Sequence, residues 1–347
     1  MRIITAKKVL AQIKFDLIGK DSYRGVSLTY SWLANQLGHF SLAFIPTFAL
    51  YHVLLRFTYI AKPAFWSGIA IAGAWFVFEC FNFLGPLLFK KSKQATKNAS
   101  GGYTFKPDWK NITYDTTTDV LFFTIGAFSM SLSLVYNTTV LYVLLGLILL
   151  VLYPIKDWYL TKMYQQAAGY PFQYRLSQWN NTINATQKQA IIDFVNTSET
   201  GKHLLIFGAN NTGKTSLSVA IANERSIKHR SCSYTTAIKL MSLFYEEDID
   251  VNAPKSLDLW AWRNASLLII DDVNPGIETT NSIIHPETFF TFLNNQTLGN
   301  SNANALKNNS AIWVLGNSQS DEDISIKWVS ILVQNGIEQN KITCIYL

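Results

Sequence analysis

The stretch Gly208-Ala-Asn-Asn-Thr-Gly213-Lys214-Thr215, entered from the apolar run His203–Phe207, constrains this chain more than any other. It fits G-x-x-x-x-G-K-[ST] at every fixed position, and each fixed position has a physical reason. The two glycines let the backbone fold back so that its N–H groups point inward at a polyphosphate. Gly208, Ala209, Asn210, Asn211, Thr212, Gly213, Lys214, Thr215 and Ser216 are then the candidate phosphate-binding residues. Lys214 would reach the β- and γ-phosphates and act in catalysis there, and the Thr215 hydroxyl would ligate Mg²⁺. The residues that follow, Ser216–Asn223, read as a helix whose N-terminus adds partial positive charge at the same point. A chance glycine-rich turn is the competing reading, and the strand-loop-helix context argues against it. The pattern predicts a nucleoside triphosphate site.

Two further strand ends carry candidate chemistry. In Leu267-Leu-Ile-Ile270-Asp271-Asp272 an apolar strand ends in two carboxylates. Asp271 would hold the Mg²⁺ through its water shell and Asp272 would polarise the attacking water. Alone the pattern is weak; downstream of a phosphate loop it becomes strong. In Ile312-Trp-Val-Leu315-Gly316-Asn317 a strand ends in a polar amide, and Asn317 would orient that water as a third catalytic group. A plain turn is the alternative there. The runs His203–Phe207, Ser231–Thr235, Leu267–Ile270, Ala311–Leu315 and Ile342–Leu347 read as strands, with helical patterns between most of them and a helix at Gln187–Asn196 ahead of the first. Strands alternating with helices predict a parallel sheet covered on both faces, with its ligand at the carboxyl ends of the strands.

The N-terminal half is a different material. Hydrophobic residues make up 49% of the 347 and charged residues 15%, and the apolar excess sits in residues 40–155. Four apolar stretches lie there: Leu42–Phe57, Phe65–Phe89, Val120–Tyr136 and Val140–Ile155. A helix needs about 20 apolar residues to cross the hydrocarbon core, so the second clears the requirement and the other three lie near its lower limit. Two membrane-spanning hairpins is the economical reading; a buried core helix for one short stretch is the rival. Basic residues set the orientation. The N-terminal flank holds Arg2, Lys7, Lys8, Lys14, Lys20 and Arg24, and the connection 90–118 holds Lys90, Lys91, Lys93, Lys97, Lys106 and Lys110, against Arg56 and Lys62 on the other side. Both termini and the phosphate loop are therefore expected in the cytoplasm, where ATP is.

Residues 1–37 form a cytoplasmic segment with no signal-peptide core. Ile3, Ala6, Leu10, Ile13 and Leu17 recur at helical spacing with lysines on the rim, which suits either membrane lipid or the protein's own soluble domain. Glu79 interrupts the second span, where a charge costs about 2.5–3.5 kcal/mol to insert. It is either a functional group facing a partner or cavity, or a carboxyl held by hydrogen bonds within the bundle or near an interface. Residues 156–171 read as a linker to a soluble domain over 172–347. The three cysteines, Cys80, Cys232 and Cys344, have no paired spacing and suggest burial or a reducing compartment rather than a metal site.

With the phosphate loop, the acidic pair and the Gly316-Asn317 strand end placed, residues 170–347 resemble the AAA+ ATPases, and among them the DnaC/IstB-like branch of helicase loaders and transposition helpers. Tyr234-Thr-Thr-Ala237-Ile-Lys-Leu240 resembles that branch's second strand and following helix, and the paired aspartates also suit it. The resemblance implies a P-loop NTPase parallel α/β sheet, an AAA+-like core, here without a helical lid because the sequence ends after its last strand. An all-α four-helix transmembrane bundle precedes it and resembles no family. ATP and Mg²⁺ are the implied cofactors, with Lys214 and Thr215 on phosphate and metal, Asp271 and Asp272 on metal and water, and Asn317 as a sensor. A bacterial cytoplasmic membrane is the implied location. Homo-oligomer assembly and nucleic acid as a partner rest on the resemblance alone, and an unidentified protein partner is expected.

The departures matter as much. The family supplies an arginine finger late in its core, but the last arginine here is Arg263, ahead of the acidic pair, with Lys307, Lys327 and Lys341 as the lysines afterwards. The cluster Lys228-His229-Arg230 reads as a solvated face, and Trp260 and Trp262 as packing aromatics. Three activities remain: an ATPase acting on a partner or on the bundle, a nucleotide-gated membrane switch with little turnover, and a tethered DNA-binding loader. An ATP-driven transporter fits less well, since no ABC-type signature occurs.

Overall fold

The computed structural model describes residues 4–17, 31–57, 59–97, 104–105, 109–247, 259–274, 284–295, 297–316 and 322–347. The chain divides into two compact units. One holds α1 (Ala6–Leu17), Thr104 and Phe105, and the described residues from Leu160 onward; the other holds the apolar helices up to Tyr159.

The apolar unit contains α2 (Ser31–Leu54), α3 (Pro63–Lys97), α4 (Trp109–Leu134) and α5 (Thr138–Ala168) as far as Tyr159. Four stretches in them, Trp32–Leu54, Pro63–Phe83, Ile112–Leu134 and Thr138–Ala168, are long and apolar enough to cross a membrane. The helices outrun the apolar stretches of the sequence. The apolar pattern stops where polar residues begin, while the backbone ladder carries on through them. The linker span is accordingly helical as far as Ala168, continuous with the fourth apolar helix.

This unit is dressed in apolar side chains and buries several polar ones beside an apolar core that includes Phe122, Phe128 and Leu144. Ile45, Phe81, Tyr142, Leu149 and Leu150 are exposed, whereas Gln36, Thr47, Ser67, Glu79 and Asp119 are buried. That is the arrangement a hydrocarbon solvent favours. Buried hydroxyls bond to helix carbonyls, Thr47 to Ala43 O at 2.8 Å and Ser131 of α4 to Ala64 O of α3 at 2.7 Å. The Trp75 indole N–H reaches Leu42 O of α2 at 3.0 Å. Gly126 lies directly against the Phe40 backbone, so α2 and α4 touch where only a glycine fits. Glu79 is buried and accepts from Asn82 Nδ2, three residues on in the same helix, at 3.3 Å.

The second unit is built on a sheet of five parallel strands: β1 (His203–Gly208), β2 (Cys232–Thr236), β3 (Leu267–Asn274), β4 (Ser310–Gly316) and β5 (Ile342–Tyr346), in the order β2-β3-β4-β1-β5. His203 lies opposite Ala311 on one side and Ile342 on the other, and Leu267 lies between Cys232 and Ser310. The central strands β1 and β4 and the first half of β3 are apolar and buried because both faces are covered, whereas the edge strands β2 (Cys-Ser-Tyr-Thr-Thr) and β5 are only partly buried. Leu204, Ile206, Ile269 and Ile312 pack with α6 (Ala185–Asn196) and α7 (Lys214–Ile227). On the other face Leu205, Phe207, Ile270 and Trp313 pack with α8 (Ala237–Leu243), α9 (Pro286–Asn294) and α11 (Glu322–Gln334); α10 (Gly299–Asn308) adds Leu306. Ahead of α1, Ile4 packs beside Tyr164, Trp260 and Ala265.

One irregularity positions the site. Pairing of β3 with β4 jumps from Ile270 opposite Trp313 to Asn274 opposite Leu315, so Asp271, Asp272 and Val273 together face Val314. Such a bulge re-aims side chains at a strand end, and here it falls on the acidic pair, with Asp272 in the left-handed region at φ 52°.

Candidate functional site

The loop from Gly208 to Gly213 leaves the carboxyl end of β1 and turns into α7. Two of its residues take left-handed backbone, Asn211 at φ 63° and Gly213 at φ 85°. Asparagine tolerates that region and glycine enters it freely, which explains this residue choice. Gly208 is required by space: a Cβ there would meet Thr212 Oγ1 at 2.7 Å and Leu347 O at 2.9 Å. Within the loop Thr212 Oγ1 donates to Ala209 O at 3.0 Å, and Ser216 Oγ donates to Gly213 O at 2.9 Å. Gly213 is the N-cap of α7, so the free N–H groups of the first turn face the loop.

Lys214 folds back over this ring. Its Nζ donates to Gly208 O at 2.9 Å and Ala209 O at 2.7 Å. Partial burial pulls the ammonium below its ordinary value, opposed by the charges of Asp271 and Asp272. Those carbonyl bonds keep the charge compensated at the mouth of a cavity of about 360 Å³. The cavity is lined by Asn210, Asn211, Gly213, Lys214, Thr215 and Ser216, with Asp272, Val314 and Phe172. A larger open groove of about 500 Å³, between α11 and β5, contains none of the motif residues.

Asp271 is buried at the bulge and accepts three hydrogen bonds. Thr215 Oγ1 donates to its Oδ1 at 3.1 Å, Tyr234 Oη to its Oδ2 at 2.6 Å, and the Asp272 N–H to Oδ1 at 2.9 Å. Burial, then the hydrogen bond to Asp271 and the charges of both aspartates, holds the Tyr234 phenol well above its ordinary value, so it stays a donor. Asp272 projects into the cavity. Its carboxyl is raised above the usual carboxylate range by partial burial and by Asp271, with Lys214 opposing.

Sequence-predicted residues of the phosphate loop and the acidic pair are thus brought together around one cavity, while Asn317 lies outside the described residues. Among the described residues no group of three or more His, Cys, Asp or Glu side chains could hold a metal. One hydroxyl and one carboxylate 3.1 Å apart fit Mg²⁺ of the kind that completes its shell with water and substrate phosphate oxygens.

Four contributors escape sequence reasoning. Tyr234 lies within the quoted second-strand pattern but carries no phosphate or metal signature. Phe172 reaches the cavity from the chain between α5 and α6. From that same chain, the Trp179 Nε1–H donates to Gly213 O at 3.1 Å and Asn181 Nδ2 to Thr212 O at 2.6 Å. No local pattern marks these residues, because their partners lie more than thirty positions away.

Other polar candidates are engaged in packing. Arg263 is buried, with Nε on Asn302 Oδ1 at 2.7 Å, Nη2 on Leu243 O at 3.1 Å, and its guanidinium 4.8 Å from the Trp262 ring centroid. Lys228 Nζ bonds Asn196 Oδ1 at 2.7 Å, and His229 stacks on Tyr164. Trp260 and Trp262 are buried.

No protein-family model and no curated protein matches the chain. Among solved structures the chain is similar to the crystal structure of the DnaC helicase loader, at 22% identity and a TM-score of 0.32, over 48% of this chain and 93% of that one.

Proposed function

We propose that this chain is a membrane-anchored ATP-binding protein whose α/β unit takes ATP with Mg²⁺ at the phosphate loop. Binding or hydrolysis would act on a protein partner or on the apolar bundle. The observation that carries the reading is the convergence at the N-terminus of α7: Lys214 over the loop, with Thr215 Oγ1 3.1 Å from Asp271 Oδ1.

The chain's own residues divide the work. The loop amides and the first turn of α7 face the phosphates. Lys214 exchanges two carbonyl partners for phosphate oxygens, so its charge is never without acceptors. Thr215 and Asp271 would hold the metal, which would supply positive charge at the phosphates. Asp272, raised toward neutrality and facing the cavity, polarises the attacking water. Asn317 takes the water-orienting role on its sequence position alone. The membrane is assigned from four long apolar helices, and the cytoplasmic side from the basic flanks and the location of ATP.

A nucleotide-gated switch with little turnover is the second reading, and Arg263 favours it. Arg263, the last arginine of the given sequence, is committed to Asn302, Leu243 and Trp262 rather than directed at the cavity. An arginine directed there is worth on the order of 10³–10⁵ in rate.

The test is ATP binding and turnover by the detergent-solubilised full-length protein, beside Lys214→Ala, with and without single-stranded DNA. Binding lost in the variant is the expected result. Equal binding by both proteins sinks the reading. Binding without turnover favours the switch, and stimulation by DNA favours a loader-like activity.

A further inference from the structure

Two carbonyls of the phosphate loop are held from outside the motif, and the residues that hold them are themselves held by a distant part of the chain. Trp179 and Asn181 donate to Gly213 O and Thr212 O, which are consecutive in the loop. They sit directly on the glycine: a Cβ at Gly213 would meet Asn181 Nδ2 at 2.6 Å and Trp179 Nε1 at 3.2 Å. Each of the two then has a second partner from one dipeptide. Thr104 Oγ1 donates to Asn181 O at 2.6 Å. The Phe105 ring lies 6.0 Å from that of Trp179, and both rings are buried.

Thr104 and Phe105 belong to the α/β unit, although the helices before and after them in sequence, α3 and α4, belong to the apolar unit. The dipeptide falls within the basic connection 90–118, and the nucleotide reading assigns it no role. A buried phenylalanine and a 2.6 Å hydroxyl bond are specific contacts for a segment that a membrane hairpin needs only as a tether.

We propose that Trp179 and Asn181 are positioning residues of the phosphate loop, and that Thr104-Phe105 sets them, so that nucleotide binding depends on this dipeptide. The inference rests on the nucleotide reading for its ligand but not for its geometry. With Thr104 and Phe105 in place, the Thr212 and Gly213 carbonyls are tied outward and the peptide planes that carry the loop N–H groups are fixed. Without them, the loop must be ordered at the expense of binding.

Two measurements on the full-length protein in detergent test it. The first is ATP affinity by calorimetry for wild type, Thr104→Val, Thr104→Ser and Phe105→Ala. Valine keeps the shape of threonine without the donor, and serine keeps the donor. Thr104→Val and Phe105→Ala are expected to weaken binding roughly five- to tenfold, as for loss of one or two supporting hydrogen bonds, and Thr104→Ser to restore most of it. Wild-type affinity in both weakened variants overturns the proposal while leaving the nucleotide site standing, and so does a loss that serine fails to restore.

The second is amide hydrogen exchange in the absence of nucleotide, which stands even if ATP proves not to be the ligand. Faster exchange at residues 209–213 in Thr104→Val and Phe105→Ala, with the β4 amides unchanged, is expected. Unchanged exchange at 209–213 overturns the proposal, and so does acceleration spread over the whole unit, which marks Phe105 as packing alone.

Discussion

Asp271 and Asp119 are both buried carboxylates that meet two side chains, one in each unit, but the partners differ in kind. Asp271 sits at a strand end on a bulge, and its side-chain donors are hydroxyls, from Thr215 and Tyr234. A hydroxyl can turn and become an acceptor or a metal ligand, so this carboxylate can trade partners when a cation arrives. Asp119 sits inside α4, and its partners come from a neighbouring helix. Gln36 Nε2 donates to Oδ1 at 2.8 Å, and His39 Nδ1 lies 3.1 Å from the same oxygen, close enough for a charge contact though off the line of a good hydrogen bond. An amide and an imidazole joining two helices are glue. On the proposed function, the same chemical group would serve as an exchangeable ligand site in one unit and as a fixed tie in the other.

The comparison breaks most sharply at the metal. Asp271→Asn keeps size and polarity but removes the charge, and Mg²⁺ should then no longer tighten ATP binding. Any turnover should fall by on the order of 10²–10³, the scale for loss of one preorganised electrostatic group. Asp119→Asn should leave both unchanged. Titration of ATP with and without Mg²⁺ on the two variants decides it, and an equal effect of both would mean that the units do not divide the work this way.

The next effect in size is confined to the α/β unit and runs with pH. His203 is fully buried in β1, and its Nδ1 accepts the Trp313 indole N–H at 3.0 Å. Burial lowers its pKa from 6.5 to about 4. The folded state therefore holds the neutral ring where the unfolded chain would take a proton. Its contribution is complete above pH 6.5, declines as pH falls toward 4, and amounts to about 3 kcal/mol. Thermal unfolding of the full-length protein across that window should show the decline, and His203→Asn, which keeps an acceptor for Trp313, should flatten it. Since the apolar unit lacks this group, helix content that melts separately should not follow the same slope.

A smaller effect tests the tie. Asp119→Ala leaves the Gln36 amide without its acceptor in the bundle interior, at a cost of about 1 kcal/mol, the scale of polar contacts between membrane helices. The midpoint of unfolding in detergent should fall while ATP affinity stays put. An affinity change instead would make Asp119 part of the nucleotide response.

The sequence carried the two units unequally. The central strands are legible because a sheet covered on both faces writes itself as continuous apolar runs, β2 is legible from its β-branched and aromatic residues, and the loop after β1 stands out because its backbone geometry calls for glycines. The bulge at Asp271–Val273 is not legible, since pairing with β4 leaves no trace in β3 itself. In the apolar unit hydropathy located the spans but not their helix ends. It began the third stretch at Val120, one residue after Asp119, because a carboxylate looks like a boundary until its partners on α2 are known. Glu79 was visible for the same reason, as a charge among apolar neighbours. Trp179, Asn181, Thr104 and Phe105 stayed hidden because each looks ordinary in its own segment and acquires meaning only from a distant one.

Tyr234 gives the finest test of Asp271 as an exchangeable site. Its phenol holds Oδ2 at 2.6 Å while Thr215 and the Asp272 N–H hold Oδ1, so the carboxylate plane is fixed from both sides before any metal binds. Burial and the neighbouring aspartates keep the phenol protonated through the working pH range, so it acts as a donor throughout. Tyr234→Phe removes one hydrogen bond, worth about 1 kcal/mol or roughly fivefold. If Tyr234 positions the carboxylate, half-maximal Mg²⁺ enhancement of ATP binding should need about fivefold more Mg²⁺, with ATP affinity in the absence of metal unchanged. The opposite shift, toward less Mg²⁺, would mean that the phenol competes with the metal for Oδ2. Asp271 would then be a tie that the metal must break, closer in kind to Asp119 than the hydroxyl donors suggest.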